Sequence, residues 1–333
     1  MSAAGPPQGA RPLGGAAPGA ARGESTGGVV AATLVAHVPT LGKAENTPDY
    51  QQTLVQAERK LGAALRAALK PDLWVIASTH WVSTFNWFST CQPKHEGLCV
   101  AQEAPNLIPG LPYKYRGDPE FGAALVDAWN AVNVAAVRNE AANYSWDYGT
   151  YVPLKYLDPD GEVPVVGIPV VLMADHAECL RAGAAVHATA KKLGRRAVFL
   201  CSSALSHLLV RGRHNWPTPE RVEADKRFVE QLKRGAIDEA IAGFAEYSRK
   251  VVAEMGGRAL ATMLGAASAV SRDGNHVLAQ QYGDYAQSSG SNNAVLLISD
   301  QPTLDSVGKR AVDSKQPMPH VTDKDLAKLE ETE

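Results

Sequence analysis

The sequence contains few cysteines, and none of them belongs to a metal-binding or redox motif. Its 333 residues include four, without any CxxC spacing: Cys91, Cys99, Cys179 and Cys201. The first residues also lack the apolar segment of a secretory signal. We therefore expect reduced thiols in a cytoplasmic protein, with a Cys91–Cys99 disulfide as the alternative.

An excess of positive charge is also missing. Lys and Arg total 33 and Asp and Glu total 35, which gives a net charge of -2, whereas a general nucleic-acid-binding protein carries a basic face. No apolar run reaches the length of a transmembrane helix. Neither a GxGxxG motif after a strand nor a P-loop is present. These absences argue against nucleic-acid partners, membrane insertion and a nucleotide cofactor.

The composition divides the chain into three parts. Residues 1–28 are dominated by Gly, Ala and Pro, so we predict a disordered tail, or a misassigned start codon. Residues 29–299 are predicted to form one domain, since 45% of the chain is apolar and a large core can be buried. Residues 300–333 are charged and contain prolines, which predicts a flexible tail.

The apolar pattern of residues 29–299 predicts an α/β fold. Short continuous apolar runs, typical of strands buried on both faces, alternate with segments of helical period. Strands are predicted at 29–36, 72–77, 163–172, 196–203, 277–287 and 294–299, and the main helices at 48–69, 177–193, 220–234 and 237–249. We expect a single domain with a mostly parallel or mixed sheet and helices on both faces. Its ligand site should lie at the carboxyl ends of the strands.

Three of the predicted strands are followed by a histidine. His37 comes just before Pro39, which fixes a turn, and His80 follows the apolar run 73–77. His207 follows the strand 196–203 after a turn of small residues. Each histidine taken alone is more often structural than functional. Because parallel strands place their carboxyl ends at one edge of the sheet, we expect the three imidazoles to share a pocket.

Four further segments bear on the site. Residues 81–117 predict a hairpin and then a long irregular excursion from Glu103 to Gly117, which suits an active-site wall. Asp118 is predicted to cap the next helix. Gly149 predicts a tight turn that projects the Tyr148 phenol. Glu254 is predicted on a helix, between apolar positions and beside a glycine pair, which is unusual for a solvated carboxylate.

Two histidines and one carboxylate are a recognised set of metal ligands. In non-haem iron(II) oxygenases they occupy one face of an octahedral ion and leave adjacent positions open for a chelating substrate and dioxygen. Zinc hydrolases use the same ligand types. The ligand set alone therefore leaves the metal and the reaction class open.

Several short motifs, in order, resemble the class III (LigB-like) extradiol ring-cleavage dioxygenases. They are Ala36-His37-Val38-Pro39, Ser78-Thr79-His80-Trp81, Trp146-Asp147-Tyr148-Gly149-Thr150 leading into Val152-Pro153-Leu154, and Ser202-Ser203-Ala204-Leu205-Ser206-His207. The loop from Glu103 to Glu120 is similar as well. The resemblance covers roughly residues 30–298. It is closest to the branch that contains homoprotocatechuate 2,3-dioxygenase and the catalytic subunit of 2-aminophenol 1,6-dioxygenase.

The resemblance implies a role for each matching residue. His37, His80 and Glu254 correspond to the ligands of an Fe(II) cofactor, and His207 corresponds to the acid/base histidine. Tyr148 stands where protocatechuate-type relatives have a histidine, which implies a phenol that bonds to the substrate or to dioxygen. The family also implies a small aromatic substrate, O2 and a homo-oligomer, or an assembly with a paralogous subunit.

Other readings of the sequence remain open. His214 and Arg258 are candidates for binding a substrate carboxylate. The alternative, which is at least as good, is that both are ordinary solvated basic residues. The resemblance implies as substrate a catechol such as 3,4-dihydroxyphenylacetate, a 2-aminophenol or a dihydroxypyridine, and these compounds chelate a metal alike. A zinc hydrolase and a non-catalytic binding member of the fold are the alternatives from other classes.

Overall fold

The computed structural model describes residues 27–212 and 215–308. The strands are β1 (Gly28–Val35), β2 (Leu73–Ser83), β3 (Trp87–Thr90), β4 (Lys94–Val100), β5 (Pro109–Arg116), β6 (Ala136–Asn139), β7 (Val165–Val171), β8 (Arg196–Ser202), β9 (Val277–Ser288) and β10 (Ser291–Asp300). The helices are α1 (Gln52–Leu69), α2 (Pro119–Ala131), α3 (Tyr148–Leu157), α4 (His176–Lys192), α5 (Pro219–Lys233), α6 (Ile237–Val251), α7 (Arg258–Arg272) and α8 (Gln301–Val307).

A six-stranded mixed sheet in the order β7-β2-β8-β1-β10-β9 forms the centre of the fold. Strands β7, β2, β8 and β1 pair in parallel, and β10 and β9 add antiparallel pairs at one side. The carboxyl ends of β2, β8 and β1 therefore lie next to one another at one edge. This arrangement confirms the predicted α/β fold with its mixed sheet.

The central strands are apolar on both faces because each face packs on helices. Along β2, Leu73, Val75 and Ala77 belong to the core cluster that includes residues of α4 and α7. The alternate residues Trp74 and Ile76 belong to a second cluster with residues of α1 and α3. The period-2 alternation of side chains along a strand explains this division. Helices cover both faces, as predicted.

Several local predictions need correction. Residues 301–307, placed in a flexible tail, form α8 and bury Leu304 and Val307. Much of the predicted irregular excursion is β5, which pairs with β4. Gly149 lies in the first turn of α3 rather than in a tight turn. The predicted cap at Asp118 is confirmed, since its side chain accepts from the Phe121 amide.

Other predictions concern residues that lie outside the described ranges. The proposed N-terminal tail, residues 1–28, lies outside these ranges except for Gly27 and Gly28, and Gly28 begins β1. The rest of the proposed C-terminal tail, residues 309–333, and the candidate site residue His214 are also outside them. Within the described ranges, no helix combines the length and the apolar character needed to cross a bilayer.

A buried carboxyl group on α1 supports the chain just before His37. Glu58 is fully buried, its Oε1 accepts a 2.8 Å hydrogen bond from the Ala36 amide, and its Oε2 has no hydrogen-bond partner among the described residues. Burial raises the pKa of Glu58 well above its usual value of 4.5. The folded protein therefore holds a proton there that the unfolded chain releases above about pH 4.5.

We expect Glu58→Gln to make the protein more stable than the wild type at pH 8. Because the pKa of Glu58 is higher in the folded protein than in the unfolded chain, its contribution to stability is full below the unfolded pKa and is lost as the pH rises. Glutamine does not titrate, so its contribution does not change with pH. The gain should be at least ~1.4 kcal/mol at pH 8, the value of one pKa unit, and should vanish near pH 4. Urea unfolding of metal-free protein at the two pH values measures it. A gain that is independent of pH would contradict this account.

Candidate metal centre

Two of the candidate histidines lie on either side of the end of β8. His37 is the second residue after β1 and is 5% exposed. His80 lies inside β2, which continues to Ser83, so the expectation that it follows the strand is corrected. The pairing of β2 with β7 shifts register between Ser78 and Val82. Such irregularities re-aim side chains next to active sites, and here the bulge includes His80.

The carboxylate reaches the same place through an abrupt chain reversal after α6. Glu254 begins a short 3-10 turn, Glu254–Gly257. The prediction that it lies on a regular helix is therefore wrong. Val252, Met255 and Gly256 all have positive φ, at 52°, 47° and 67°. This conformation is strained for the branched Val252, and strain of this kind is typical of functional sites. The reversal buries Glu254 to 2% exposure.

One oxygen of Glu254 is fixed by the backbone, and the other faces three imidazoles. Oε2 accepts from the Ala204 amide at 2.6 Å, and Oε1 accepts from the Thr79 hydroxyl at 3.0 Å. Oε1 also lies 3.2 Å from His37 Nε2, and 3.6 Å from both His80 Nε2 and His207 Nε2. The carboxylate is therefore the centre of the cluster.

These distances fit a metal ion. Ligand atoms about 2.1 Å from an ion and at right angles to each other are about 3 Å apart. Among the described residues, His37, His80 and Glu254 form the group whose potential ligand atoms all lie within 4.8 Å of one another. The set of two imidazoles and one carboxylate therefore has both the chemistry and the spacing of a divalent metal site.

The hydrogen bonds of His37 identify its metal-binding nitrogen. Ser202 donates its only hydroxyl proton to the Gly149 carbonyl at 2.6 Å, so its oxygen must accept from His37 Nδ1, which is 3.0 Å away. The neutral imidazole consequently carries its proton on Nδ1 and presents the Nε2 lone pair to the site. A partner on the second nitrogen is the usual way in which a metal-binding histidine is oriented.

Gly149 is required at this point by close packing. A Cβ on this residue would lie 2.4 Å from Ser78 Oγ and 3.3 Å from His80 Cδ2. The first turn of α3 can therefore approach the site only without a side chain there. This close approach, rather than a tight turn, explains the glycine after Tyr148.

The charges of Glu254 and His80 suit metal binding, whereas Glu254 favours the protonated form of His37 in the metal-free protein. Burial alone would raise the pKa of Glu254, but His37 and the other two imidazoles lower it below its usual range, so the group is a carboxylate. Burial and the neighbouring His37 lower the pKa of His80 to about 4. Burial also acts to lower the pKa of His37, but Glu254 reverses the effect and the net shift is upward. An anionic carboxylate and a neutral His80 are the forms that bind metals.

Tyr148 and Glu103 complete the wall beside His80. The Tyr148 ring stacks against the His80 ring with centroids 4.0 Å apart. Burial raises the pKa of Tyr148, and a hydrogen bond to Glu103 raises it further, so the phenol keeps its proton. Glu103 Oε1 also lies 3.7 Å from His80 Nδ1. Sequence reasoning did not identify Glu103 as a site residue, although it placed the loop that begins there at the wall of the site.

His207 is held in place by its backbone and by the residue before it. Its amide donates to the Val252 carbonyl at 3.0 Å, and it forms an isolated bridge with Ser291 of β10. The Ser206 hydroxyl donates to Asp225, a fully buried residue of α5. Asp225 also accepts from Asn292 and Tyr247, both at 2.9 Å. The segment that carries His207 is therefore anchored to three different elements.

A cavity of about 300 Å³ opens above this cluster. Its lining combines the imidazoles of His37, His80 and His207 with apolar residues such as Leu107 and polar residues such as Asn293. Glu103 and Tyr148 also line it. The size and the mixed lining suit a small molecule with one aromatic ring.

Arg258, a candidate for substrate binding, lies elsewhere. Its guanidinium donates to the backbone carbonyls of Leu172, Ala174 and Met255, and it lines a separate cavity. It supports the turn that carries Glu254, and the structure does not place it in the cavity above the metal cluster.

Comparison with known proteins agrees with this geometry. A family described as the catalytic LigB subunit of aromatic ring-opening dioxygenase matches residues 31–294, a range that includes all four cluster residues. The chain is 22% identical over 232 residues to 3,4-dihydroxyphenylacetate 2,3-dioxygenase of Escherichia coli, covering 67% of this chain and 84% of that protein. It is 24% identical over 256 residues to the 2-aminophenol 1,6-dioxygenase beta subunit of Pseudomonas sp, covering 69% and 83%.

A solved structure shares the fold. An uncharacterized protein of Escherichia coli K12 superposes with a TM-score of 0.56 at 16% identity, covering 80% of this chain and 99% of that one. At this identity the likeness concerns the architecture alone.

Proposed function

Because the chain belongs to the family of catalytic LigB subunits of aromatic ring-opening dioxygenases, we propose that it is an Fe(II)-dependent extradiol dioxygenase. Its substrate is a small aromatic ring with two adjacent heteroatoms, such as 3,4-dihydroxyphenylacetate. The observation that carries the proposal is the buried Glu254 oxygen that faces the Nε2 atoms of three histidines. The ligand set also occurs in hydrolases, but the family and its named relatives are dioxygenases.

In this proposal, His37, His80 and Glu254 hold the iron, and the other residues bind the substrate and transfer its protons. The bound iron supplies a chelation site for both ring heteroatoms and the means to activate dioxygen. His207 takes a proton from a substrate hydroxyl and returns it later in the reaction, a role worth roughly 100- to 10,000-fold in rate. The Tyr148 hydroxyl, which is hydrogen-bonded to Glu103 in the substrate-free protein, turns its proton to an oxygen atom of the substrate or of dioxygen. Apolar walls at Pro39 and Leu107 exclude water from the ring.

2-Aminophenol is the second candidate substrate, and Glu103 is the observation that favours it. The Glu103 carboxylate lines the cavity and is 57% exposed, so it can accept a hydrogen bond from an amino group on the ring. One relative is named as the beta subunit of an enzyme that acts on this compound. The same name supports an oligomer of this chain, or an assembly with a related subunit.

Anaerobic reconstitution tests the proposal. Metal-free protein is loaded with Fe(II), and oxygen uptake is followed with 3,4-dihydroxyphenylacetate, 2-aminophenol, protocatechuate and a dihydroxypyridine. We expect uptake of one O2 per ring opened with at least one of them, and none with the zinc-loaded protein. Hydrolysis of esters or amides by the zinc form, without any oxygen uptake by the iron form, would contradict the proposal.

Asp225 offers a test of how His207 is positioned. We expect Asp225→Ala to lower kcat by up to about 100-fold with unchanged metal content, because a 1 Å displacement of a catalytic group can have this effect. Asp225→Asn should lose less, since its amide oxygen still accepts from Ser206. Tyr247→Phe, which removes a single hydrogen bond to Asp225, serves as the control. Steady-state kinetics with metal analysis measures all three, and an unchanged kcat in Asp225→Ala would contradict the role.

A further inference from the structure

A second cavity, which we call the tyrosine cleft, lies between α1, β5 and α3. It has a volume of about 720 Å³, more than twice that of the cavity above the metal cluster. Four tyrosines line it, Tyr113, Tyr115, Tyr151 and Tyr156, together with four cations, Arg59, Arg66, Lys114 and Lys155. Asp160 is the one carboxylate among these described lining residues. The cleft is therefore positively charged in a protein whose net charge is -2.

The cations are not all neutralised by the protein. Arg66 is paired with Glu162 at 3.1 Å and lies 3.7 Å from Asp158. Arg59 and Lys155, by contrast, both lie against the ring of Tyr156, 5.3 and 5.4 Å from its centroid. Burial lowers the pKa of Lys155; nearby Glu45 opposes this shift, whereas Arg59 adds to it by repulsion. Because Arg59 and Lys155 repel each other, an anion that pairs with both would offset this repulsion.

Each of the four tyrosines lines the cleft while being only 3–6% exposed, so a ligand meets a small part of each ring. Tyr115 and Tyr156 donate their hydroxyl protons inward, to the backbone carbonyls of Asp158 and Leu41. Tyr151 is 5% exposed, and burial raises the pKa of its hydroxyl to about 12, so the phenol keeps its proton as a donor.

We propose that the tyrosine cleft binds a small aromatic carboxylate. The carboxylate pairs with Arg59 and Lys155, the ring packs on the tyrosine rings, and a polar atom reaches the Tyr151 hydroxyl. Arginine and lysine supply the charge-assisted hydrogen bonds that hold carboxylates, and aromatic faces prefer stacked or edge contacts with another ring.

The cleft is connected to the metal site through the turn that follows His37. Lys155 donates to the Gly42 carbonyl, and Tyr156 donates to the Leu41 carbonyl. Both carbonyls belong to the 3-10 turn Pro39–Gly42, whose Pro39 and Thr40 line the cavity above the metal cluster. A ligand that engages Lys155 competes with the Gly42 carbonyl. The cleft is thereby placed to regulate the cavity where the substrate binds.

Calorimetric titration of the full-length, metal-free protein with isophthalate tests the binding site. This probe has no adjacent ring oxygens and so cannot imitate a chelating substrate. We expect one molecule per chain, with affinity at least tenfold higher than for cyclohexane-1,3-dicarboxylate or inorganic phosphate. Equal binding of phosphate would show a general anion site and would overturn the aromatic assignment, and absence of isophthalate binding would overturn the site itself.

Variants locate the probe and separate this proposal from the proposed function. Arg59→Gln and Lys155→Gln should each weaken isophthalate binding at least tenfold, whereas Lys60→Gln, the exposed neighbour of Arg59 that does not line the cleft, should leave it unchanged. His37→Ala should also leave it unchanged. Loss of binding in His37→Ala, with retention in Arg59→Gln, would place the probe at the metal cluster and overturn the proposal. None of these measurements depends on oxygen chemistry.

Hydrogen exchange tests the connection to the metal site. Isophthalate should change the exchange rate of the peptide that covers residues 39–43 in the wild type and not in Arg59→Gln. If the exchange rate of this peptide is unchanged at a saturating concentration of isophthalate, the regulatory link is overturned.

Discussion

Replacing His207 by phenylalanine is expected to lower kcat by roughly 100- to 10,000-fold while the protein still binds one metal ion. The loss is that of a positioned acid/base group. Phenylalanine keeps a ring of similar size at a position that is 26% exposed, so folding should be preserved. Single-turnover kinetics and metal analysis of the same preparation measure the two quantities.

This prediction separates two roles that the distances alone do not distinguish. His207 Nε2 and His80 Nε2 are both 3.6 Å from Glu254 Oε1. The assignment of His80 as the ligand depends on its membership of the three-residue group with His37 and Glu254. If His207→Phe loses its metal and His80→Phe retains it, the two histidines have exchanged roles and the mechanism must be revised.

Replacing Glu254 by glutamine is expected to abolish metal binding, with bound metal falling from one ion per chain to near zero after dialysis. The Oε1 atom is the only anionic ligand atom of the group, and an amide in its place lacks the charge that attracts a divalent ion. Glutamine is nearly isosteric with glutamate and its carbonyl can still accept from the Ala204 amide. The variant should therefore remain folded by circular dichroism.

Two comparisons complete this experiment. Glu96→Gln, a change at an exposed carboxylate of β4 that pairs with Lys94, should bind metal like the wild type. His37→Ala should lose the metal as completely as Glu254→Gln. Retention of a full complement of metal by a folded Glu254→Gln protein would remove this residue from the site.

The sequence predicts the part of the site that depends on parallel strands. His37 and His207 follow apolar strands of the sheet. Parallel strands place their carboxyl ends at one edge, regardless of the length and structure of the loops between them. The position of His80 is less regular, because the β2 bulge that re-aims it depends on the packing of β7. A pattern of apolar residues shows that a strand exists and does not show where its pairing slips.

The environment of Glu254 could be predicted from sequence only in outline. The glycine pair after it indicates a departure from regular helix, but the left-handed Val252 and Met255 are residues that do not favour such angles. Arg258 holds the Met255 carbonyl and ties it to the Leu172 and Ala174 carbonyls, and the Val252 carbonyl accepts from the distant His207 amide. Local propensity carries no signal for a conformation that long-range packing enforces.

Glu103 and α8 were missed for different reasons. Glu103 is one carboxylate in a polar loop, and only its hydrogen bond with Tyr148 and its distance to His80 single it out. Helix α8 has seven residues, and its charged surroundings conceal the two apolar residues that it buries, Leu304 and Val307. The helix is stabilised by packing against the fold and by its cap at Asp300, whose side chain accepts from the Thr303 amide.

The central claim is that His37, His80 and Glu254 together hold one catalytic iron. Anomalous diffraction at the iron edge, from crystals loaded anaerobically with Fe(II), tests it most directly. We predict a single strong peak within about 2.3 Å of all three side chains, with His207 beside the ion but not bound to it. A peak at another position, or one without contact to Glu254, would contradict the account.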